Sequence, residues 1–331
     1  MVKPTLKSIA QTVGVSPSAV SRVLNDRMGN TRVSEETVGR IKAVAGELGY
    51  VPNPVAASLR KGTTNNIGLI LTTTANPFFT DMLHTFEEVA TANGRAIIFN
   101  TSQNSIESEL AAVRRLINCY ASGVILTPWG DDSQVAVQEI IEKEGIDTPV
   151  VFISQTTDTG SYVRCDLVES YANATRELIA RGYTKIGYLG NLQKGGRHEG
   201  LFTVLAEEGL SRDYRMPCRF TSEDGEFGSA YKGTLAWLES GGSLAEVYFC
   251  YSDLVAQGMF RALTEKGLRV PEDVAIVTTD NSVLAKTNSV PLTSIAYPAE
   301  EIARLAIEAV LEKRAIQKTL IAPVAWRGST T

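Results

Sequence analysis

Hydrophobic positions change rhythm along this chain. Up to residue 48 they recur at spacings of three and four; from residue 67 they bunch into short apolar runs between helical stretches. In the first part Leu6, Ile9, Ala10 and Val13 share one helical face, and Gly14 stands where a helix can end in a left-handed residue. Ser16 is placed to cap a second helix and Pro17 to occupy its first position, where a missing N–H is no loss. In that helix Ala19, Val20, Val23 and Leu24 are predicted to face inward, and Ser18, Ser21, Arg22 and Asn25 outward. A third helix follows: Ser34 caps it, Glu35 and Glu36 fill its first turn, and Val38, Ile41, Val44, Ala45 and Leu48 form its stripe before Gly49 ends it.

Residues 50–66, YVPNPVAASLRKGTTNN, are bounded by proline and by glycine-threonine-asparagine breakers, which predicts a linker. Between the breakers Val55–Arg60 has room for about one and a half helical turns, too short to be stable without a partner. Leu59 has no local core. It either packs on a neighbouring domain or wedges a minor-groove base step.

Beyond the linker, apolar runs at 67–71, 96–100, 123–127 and 149–154 predict buried strands, with helices at about 78–93, 105–119 and 132–143. A second series has strands at 185–190, 246–250 and 274–279 and a weaker one at 219–222. Its helices fall at about 168–181, 197–208, 229–239 and 253–266. Such alternation predicts parallel sheets wound on both faces, and its extent suits two similar lobes. A cleft is expected where the carboxyl ends of the two sets of strands face each other.

Charge sharpens the division. The net charge of −5 conceals nine bases and four acids in residues 1–62, a local +5 that leaves −10 for the remainder. A basic head whose outward face carries hydroxyls, an arginine and an asparagine suits phosphates and base edges. A plain helical hairpin is the alternative for that segment. The N-terminus lacks the apolar stretch of a secretory signal, and no run is long enough to span a bilayer, so a cytoplasmic protein is expected.

Cys119, Cys165, Cys218 and Cys250 lie in or beside apolar stretches with no CxxC pair, which predicts buried, reduced thiols. His84 and His198 have no companion at metal-ligand spacing, and His84 is expected to be structural. No dinucleotide fingerprint, phosphate loop or nucleophile elbow occurs. Lone carboxylates at strand ends, Asp166, Asp253 and Asp280, read as helix caps or ligand contacts.

With these residues in place the chain resembles the LacI/GalR family of bacterial transcription regulators over nearly its whole length. The matching stretches are TLKSIAQTVGVSPSAVSRVLN at 5–25, VSEET at 33–37, ELGYVPNPVAASL at 47–59 and NPFF at 76–79. VPEDVAIV at 270–277, PLTSIAYP at 291–298 and WRGST at 326–330 continue the series. The resemblance implies an α/β protein: an N-terminal three-helix helix-turn-helix headpiece and hinge helix, then a two-lobed core of doubly wound parallel sheets, periplasmic-binding-protein-like. Its expected divisions are 1–49 for the headpiece, 50–65 for the hinge linker and 66–331 for the core. Within the core the first lobe is expected at about 66–163 plus 296–320, and the second at about 164–295 plus 321–331.

The resemblance also implies a regulator, most often a repressor of carbohydrate-utilisation genes. Its operator affinity would be switched by a sugar or sugar derivative between the lobes, with no cofactor or metal. On the DNA side the implied residues are Thr5, Ser16, Pro17, Ser18, Ser21, Arg22, Asn25, Asn53, Ala56 and Leu59. On the effector side they are Asn76, Phe78, Phe79, Arg197, Ser252 and Asp280. A near-palindromic operator implies a homodimer. The expectation is a dimer alone, because Arg327 stands four residues from the end. A solute-binding receptor or an α/β sugar enzyme is the alternative, disfavoured by the basic head and the missing signatures.

The chain departs from the family pattern at several places. Ala19 stands where threonine is usual and Ala57 where the hinge carries arginine. The loop from Asn25 to Val33 is about three residues long in excess, with Arg27 and Arg32 able to compensate. VTTD replaces VGFD before Asp280, and Ser154-Gln155 replaces Asp-Arg. The last two bear on which effector is bound.

Overall fold

The computed structural model describes residues 4–24, 33–50, 64–153, 160–192 and 196–330. The chain divides into two compact units, 1–64 and 65–331.

In the N-terminal unit the predicted helices form as α1 (Leu6–Val13), α2 (Pro17–Leu24) and α3 (Glu35–Glu47). Local capping sets their ends. Thr5 Oγ1 accepts from the Ser8 amide at 3.1 Å while Ser8 Oγ accepts from the Thr5 amide at 2.9 Å, a reciprocal capping box. Gly14 adopts φ 78°, so α1 stops and the chain turns. Ser16 Oγ accepts from the Ala19 amide at 3.2 Å, and Ser34 Oγ from the Thr37 amide at 3.3 Å. Ile9, Ala10, Val13, Val20, Val23, Ile41 and Ala45 close a small core. Leu48 departs from the predicted stripe: it is 43% exposed, because α3 has already ended beneath it.

The second unit contains two six-stranded sheets. The first is built from β1 (Asn66–Leu71), β2 (Ala96–Thr101), β3 (Val124–Leu126), β4 (Val150–Ile153), β5 (Ser161–Cys165) and β11 (Gln317–Leu320), in the order β11-β5-β4-β3-β1-β2, all parallel. Alternate residues of β1 serve opposite faces. Ile67, Leu69 and Leu71 pack under α4 (Pro77–Ala92) and α12 (Ala299–Glu312); Ile70 packs under α5 (Ile106–Asn118) and α6 (Asp131–Lys143).

The second sheet takes β6 (Ile186–Gly190), β7 (Arg215–Pro217), β8 (Val247–Cys250), β9 (Ala275–Thr279), β10 (Thr293–Ile295) and β12 (Val324–Ala325), in the order β12-β10-β9-β8-β6-β7. Only the short β12 runs antiparallel, against β10. On one face lie α7 (Leu167–Ala180) and α8 (His198–Glu207); on the other lie α9 (Gly225–Glu239) and α10 (Asp253–Glu265). A short α11 (Val283–Thr287) follows β9.

The chain therefore passes between the lobes after Cys165, between Ile295 and Ala299, and again between Leu320 and Val324. At the first passage Asp166 caps α7, its Oδ1 accepting from the Glu169 amide at 2.9 Å.

Three expectations need correction. The strand predicted at 219–222 lies instead at Arg215–Pro217, and Thr221 makes only an isolated bridge to Gly225. The run RFTS looked extended because it leads into a helix that begins four residues earlier than its apolar periodicity. Cys119 is exposed rather than buried, since it is the C-cap of α5; Cys218 and Cys250 are buried, Cys165 half-buried, and all four are free thiols. His84 is not a packing residue: it lies exposed on α4, its Nε2 3.3 Å from Glu88 Oε1.

Candidate functional site

The outward face of α2 carries the predicted DNA-side residues. Pro17, Ser18 and Arg22 are exposed, and Ser21 is half-buried. Ser16 Oγ and Ser18 Oγ are 2.9 Å apart, and Arg22 Nε donates to the Ser18 carbonyl at 3.3 Å. That contact draws the guanidinium along the helix and keeps its two terminal nitrogens available for an acceptor. Thr5 and Ser16 have their hydroxyls engaged as caps, so they fix the helix ends as well as facing outward. Asn25, Asn53, Ala56 and Leu59 lie outside the described residues, as do Arg27, Arg32 and Ala57.

In the core, both sheets reverse strand order at one point, between β1 and β3 in the first and between β6 and β8 in the second. Crevices open beyond the carboxyl ends of strands at such points. The segments that follow these strands carry most of the predicted effector residues. Phe78 and Phe79 follow β1 at the start of α4, where Asn76 is the N-cap and accepts from the Phe78 amide at 3.0 Å. Arg197 follows β6, and Ser252 follows β8 as the N-cap of α10, accepting from the Val255 amide at 3.3 Å. Asp280 ends β9 with φ 99°, a left-handed conformation rare for a non-glycine residue.

The structure sorts these residues into two groups that share Asp280. One group lines a cavity of about 550 Å³ between α4, α11 and the start of α12, where Phe78, Asp81, Asp280, Lys286 and Tyr297 take part. Phe78 meets Tyr297 edge-on, centroids 5.1 Å apart, and Phe79 at the same distance. Phe79, Arg197 and Ser252 do not line this cavity.

The other group surrounds Arg197. Its Nη1 donates to the Tyr251 carbonyl at 2.7 Å, and its guanidinium lies 4.2 Å from the Tyr251 ring centroid. Ser252 Oγ donates to Glu226 in a short hydrogen bond. Burial works against the charge of Arg197, but Tyr251, Tyr171 and Asp280 outweigh it and raise its pKa. Burial likewise pushes Asp280 well above the ordinary carboxylate range; Asp253 adds repulsion and Arg197 opposes it. Glu226 is also raised by burial, against the hydrogen bond from Ser252 and the charge of Arg197. The arrangement offers carboxyl groups and one guanidinium to a ligand rich in hydrogen-bonding groups.

Sequence reasoning missed several residues here. Glu226 carries no local signal; its place is set by Ser252, 26 positions away. Tyr251 was hidden because it lies one residue past the apolar strand β8, between the strand and the cap of α10. Trp129 stands 45% exposed just beyond β3, its backbone amide held by Glu109 Oε2 at 2.9 Å.

Comparison with known proteins decides the class. The lacI family of bacterial regulatory proteins matches residues 5–53, and a periplasmic binding protein-like domain matches 175–330. The HTH-type transcriptional repressor PurR of Aliivibrio salmonicida is 30% identical over 93% of this chain and 92% of its own. This chain belongs to the lacI family. The ribose operon repressor of Haemophilus influenzae is also 30% identical, over 93% of this chain and 91% of its own.

Among solved structures, the Lac repressor dimer bound to operator and the anti-inducer ONPF superposes with a TM-score of 0.85 at 22% identity, covering 100% of both chains. That likeness establishes the fold. As a lacI-family member the chain is a DNA-binding transcriptional regulator with an effector-binding core, and not an enzyme. No helix among the described residues is long and apolar enough to cross a membrane.

Proposed function

We propose that this lacI-family regulator represses carbohydrate-utilisation genes from the cytoplasm, as a homodimer on a near-palindromic operator. A sugar or sugar derivative held between the core lobes switches its grip. The cavity shared by Phe78 of the first lobe and Asp280 of the second carries this reading, because a ligand there touches both lobes. Such a ligand can shift operator affinity only as far as it binds one inter-lobe arrangement better than the other. The ribose repressor among the relatives supports a sugar-type effector, and the operator-bound Lac repressor dimer supports the assembly.

In this reading Ser18, Ser21 and Arg22 read the major groove, Thr5, Ser16, Asn25 and Asn53 serve phosphates, and Ala56 and Leu59 approach the minor groove. Pro17 sets the start of the reading helix. The core divides at its inter-lobe passages, near residues 164, 296 and 321. Losing the paired hinge segments releases the operator, since each headpiece alone binds weakly.

An operator selected from random duplexes by the full-length protein provides the test, read by mobility shift across a salt series. Arg22→Ala is expected to relax base preference at its position and weaken binding by about 1–3 kcal/mol. Leu59→Ala is expected to weaken binding through the central step. If both variants bind with unchanged affinity, preference and salt slope, the reading is wrong.

A further inference from the structure

The family resemblance points to Ser252 as an effector contact, yet its hydroxyl is spent inside the protein. Only 2% of the residue is exposed. Its Oγ accepts from the Val255 amide at 3.3 Å and gives its proton to Glu226 Oε2 in a short hydrogen bond. A hydroxyl has a single proton, so Ser252 has no donor left for a ligand.

The bond passes the task to Glu226, which stands half-buried on the first turn of α9. The turn into that helix is fixed from behind. Thr221 Oγ1 accepts from the Asp224 amide at 3.1 Å, and Ser229 Oγ accepts from the Thr221 amide at 3.3 Å. Ser252 then holds Oε2, while Oε1 accepts no hydrogen bond among the described residues. A carboxylate offers about four acceptor positions, and Ser252 fills one of them.

Arg197 is the complementary case beside it. Its Nη1 donates to the Tyr251 carbonyl at 2.7 Å and its guanidinium lies over the Tyr251 ring, which is packed 5.3 Å from Phe220. The remaining N–H groups of this half-buried side chain have no hydrogen-bond partner among the described residues. Arg197 and Glu226 are thus tied to consecutive residues, Tyr251 and Ser252, whose Cα atoms are about 3.8 Å apart. All four lie in segments leading from β6, β7 and β8 to the next helices, where the second sheet reverses strand order. An unused acceptor and unused donors of opposite charge, side by side, call for a neutral group that both donates and accepts. A hydroxyl does both. An ammonium would meet Arg197, and a phosphate or carboxylate would meet Glu226.

Resting on the effector reading above, we propose that Glu226 is a specificity-determining residue of the crevice, accepting from a hydroxyl at a neutral end of the sugar while Arg197 donates to that hydroxyl or its neighbour. Ser252 is the positioning residue that aims Glu226. Any charged group of the ligand points away from this pair.

The test titrates full-length protein by calorimetry with ribose, glucose, galactose and mannose, then with the monodeoxy forms of whichever sugar binds. Loss of one particular hydroxyl is expected to weaken binding about tenfold or more, the size of one charge-assisted hydrogen bond. Glu226→Gln, or Glu226→Asp if the first variant does not fold, is expected to weaken the parent sugar about tenfold. It should also erase most of the penalty at that one deoxy position and leave the others unchanged. Ser252→Ala is expected to act in the same way, and Ser252→Thr, which keeps a hydroxyl, to restore the parent profile. Combining Glu226→Gln with Ser252→Ala should weaken binding no further than Glu226→Gln alone, a coupling that a merely structural serine would not show.

A glutamine variant with the parent's affinity and deoxy profile, additive losses in the double variant, or no binding by any sugar overturns the proposal. Mobility shift on the selected operator with the same preparation separates the two readings. Operator binding with a sugar profile indifferent to Glu226 sinks only the role of this residue, whereas failure to bind any operator sinks the regulatory reading beneath it.

Discussion

Asp81 on α4 accepts a hydrogen bond from the backbone amide of Val283 at 2.9 Å, and so joins the two lobes at the first residue of α11. The preceding amide, that of Ser282, goes to Asp253 within the second lobe at 2.7 Å. Adjacent backbone donors are thus claimed by carboxylates from opposite lobes, two residues beyond the cleft carboxyl of Asp280. This short segment links cleft and lobe contact.

Removing the Asp81 carboxylate is expected to loosen that contact without unfolding either lobe. The bond lies at the surface, so its loss in Asp81→Ala should cost about 1 kcal/mol and lower the melting temperature by roughly 2–4 °C. Small-angle scattering should show a larger radius of gyration. Asp81→Asn retains an acceptor and should lie between the two. An unchanged radius in Asp81→Ala would mean that the lobes are held elsewhere.

Glu109 is fully buried under the first lobe, where it accepts from the Ser133 hydroxyl and from the Trp129 amide at 2.9 Å. Glu109→Ala strands both donors and leaves a void, which should cost about 3–5 kcal/mol. Glu109→Gln keeps an acceptor for one of them and should cost about half as much. Chemical denaturation of the two variants gives the comparison, and equal losses would show that only volume matters at this position.

Gly200 on α8 lies against the backbone of α7, where an added Cβ would collide with the Val168 carbonyl oxygen and crowd the Ala172 amide. Backbone cannot yield as a side chain can. Gly200→Ala is therefore expected to cost at least about 2–3 kcal/mol despite its better helix propensity. Gly233→Ala on α9, which would meet nothing within 4 Å, is the control and should be neutral or slightly stabilising. If both variants melt alike, the close approach of α7 and α8 carries no energetic weight.

Burial pushes the Asp253 carboxyl from 3.8 up to about 6, against the hydrogen bonds from Ser282. The folded state therefore holds this proton more tightly than the unfolded chain does. The stability it contributes is complete below 3.8 and is lost as pH rises through about 6. Asp253→Asn, which cannot ionise, should accordingly gain in melting temperature relative to the parent between those values and level off above them. A difference that stays constant across the range would show that the carboxyl keeps one charge state throughout.

The headpiece was legible because its instructions are local. Gly14, Ser16 and Ser34 end or begin helices through contacts within three or four residues, so composition and spacing suffice to place them, whereas the capping box of Thr5 and Ser8 went unread. The two lobes were legible from apolar runs such as IGLIL, yet β5 and β11 escaped. Their sequences, SYVRC and QKTL, carry polar or exposed positions, and their pairing joins Tyr162 to Gln317 across most of the core. No local period can announce such a partner.

The site divides in the same way. Ser252 and Asp280 stand just beyond strand ends, where the alternation of strands and helices already predicts a crevice, whereas Arg197, at the N-cap of α8, was marked by the family resemblance. Their mutual arrangement could not be read, since it depends on Glu226 and Tyr251 arriving from separate segments. Nor did sequence separate Phe78, which lines the cavity, from Phe79, which does not.

The passages between the lobes set a timetable for biosynthesis. Ile302, Ala306, Ile307 and Val310 of α12 complete the core that Ile67 and Leu69 begin, and β11 closes the far edge of the same sheet. At roughly 5–20 residues per second, the ribosome takes on the order of 10–50 s to travel from β1 to β11. Throughout that interval the nascent first lobe has one sheet face without its α12 cover and β5 without its edge partner. The second lobe is threaded in between. A chaperone that shields the face awaiting α12 would have its longest task here, and a ribosome stalled before residue 299 would leave a lobe unable to finish folding.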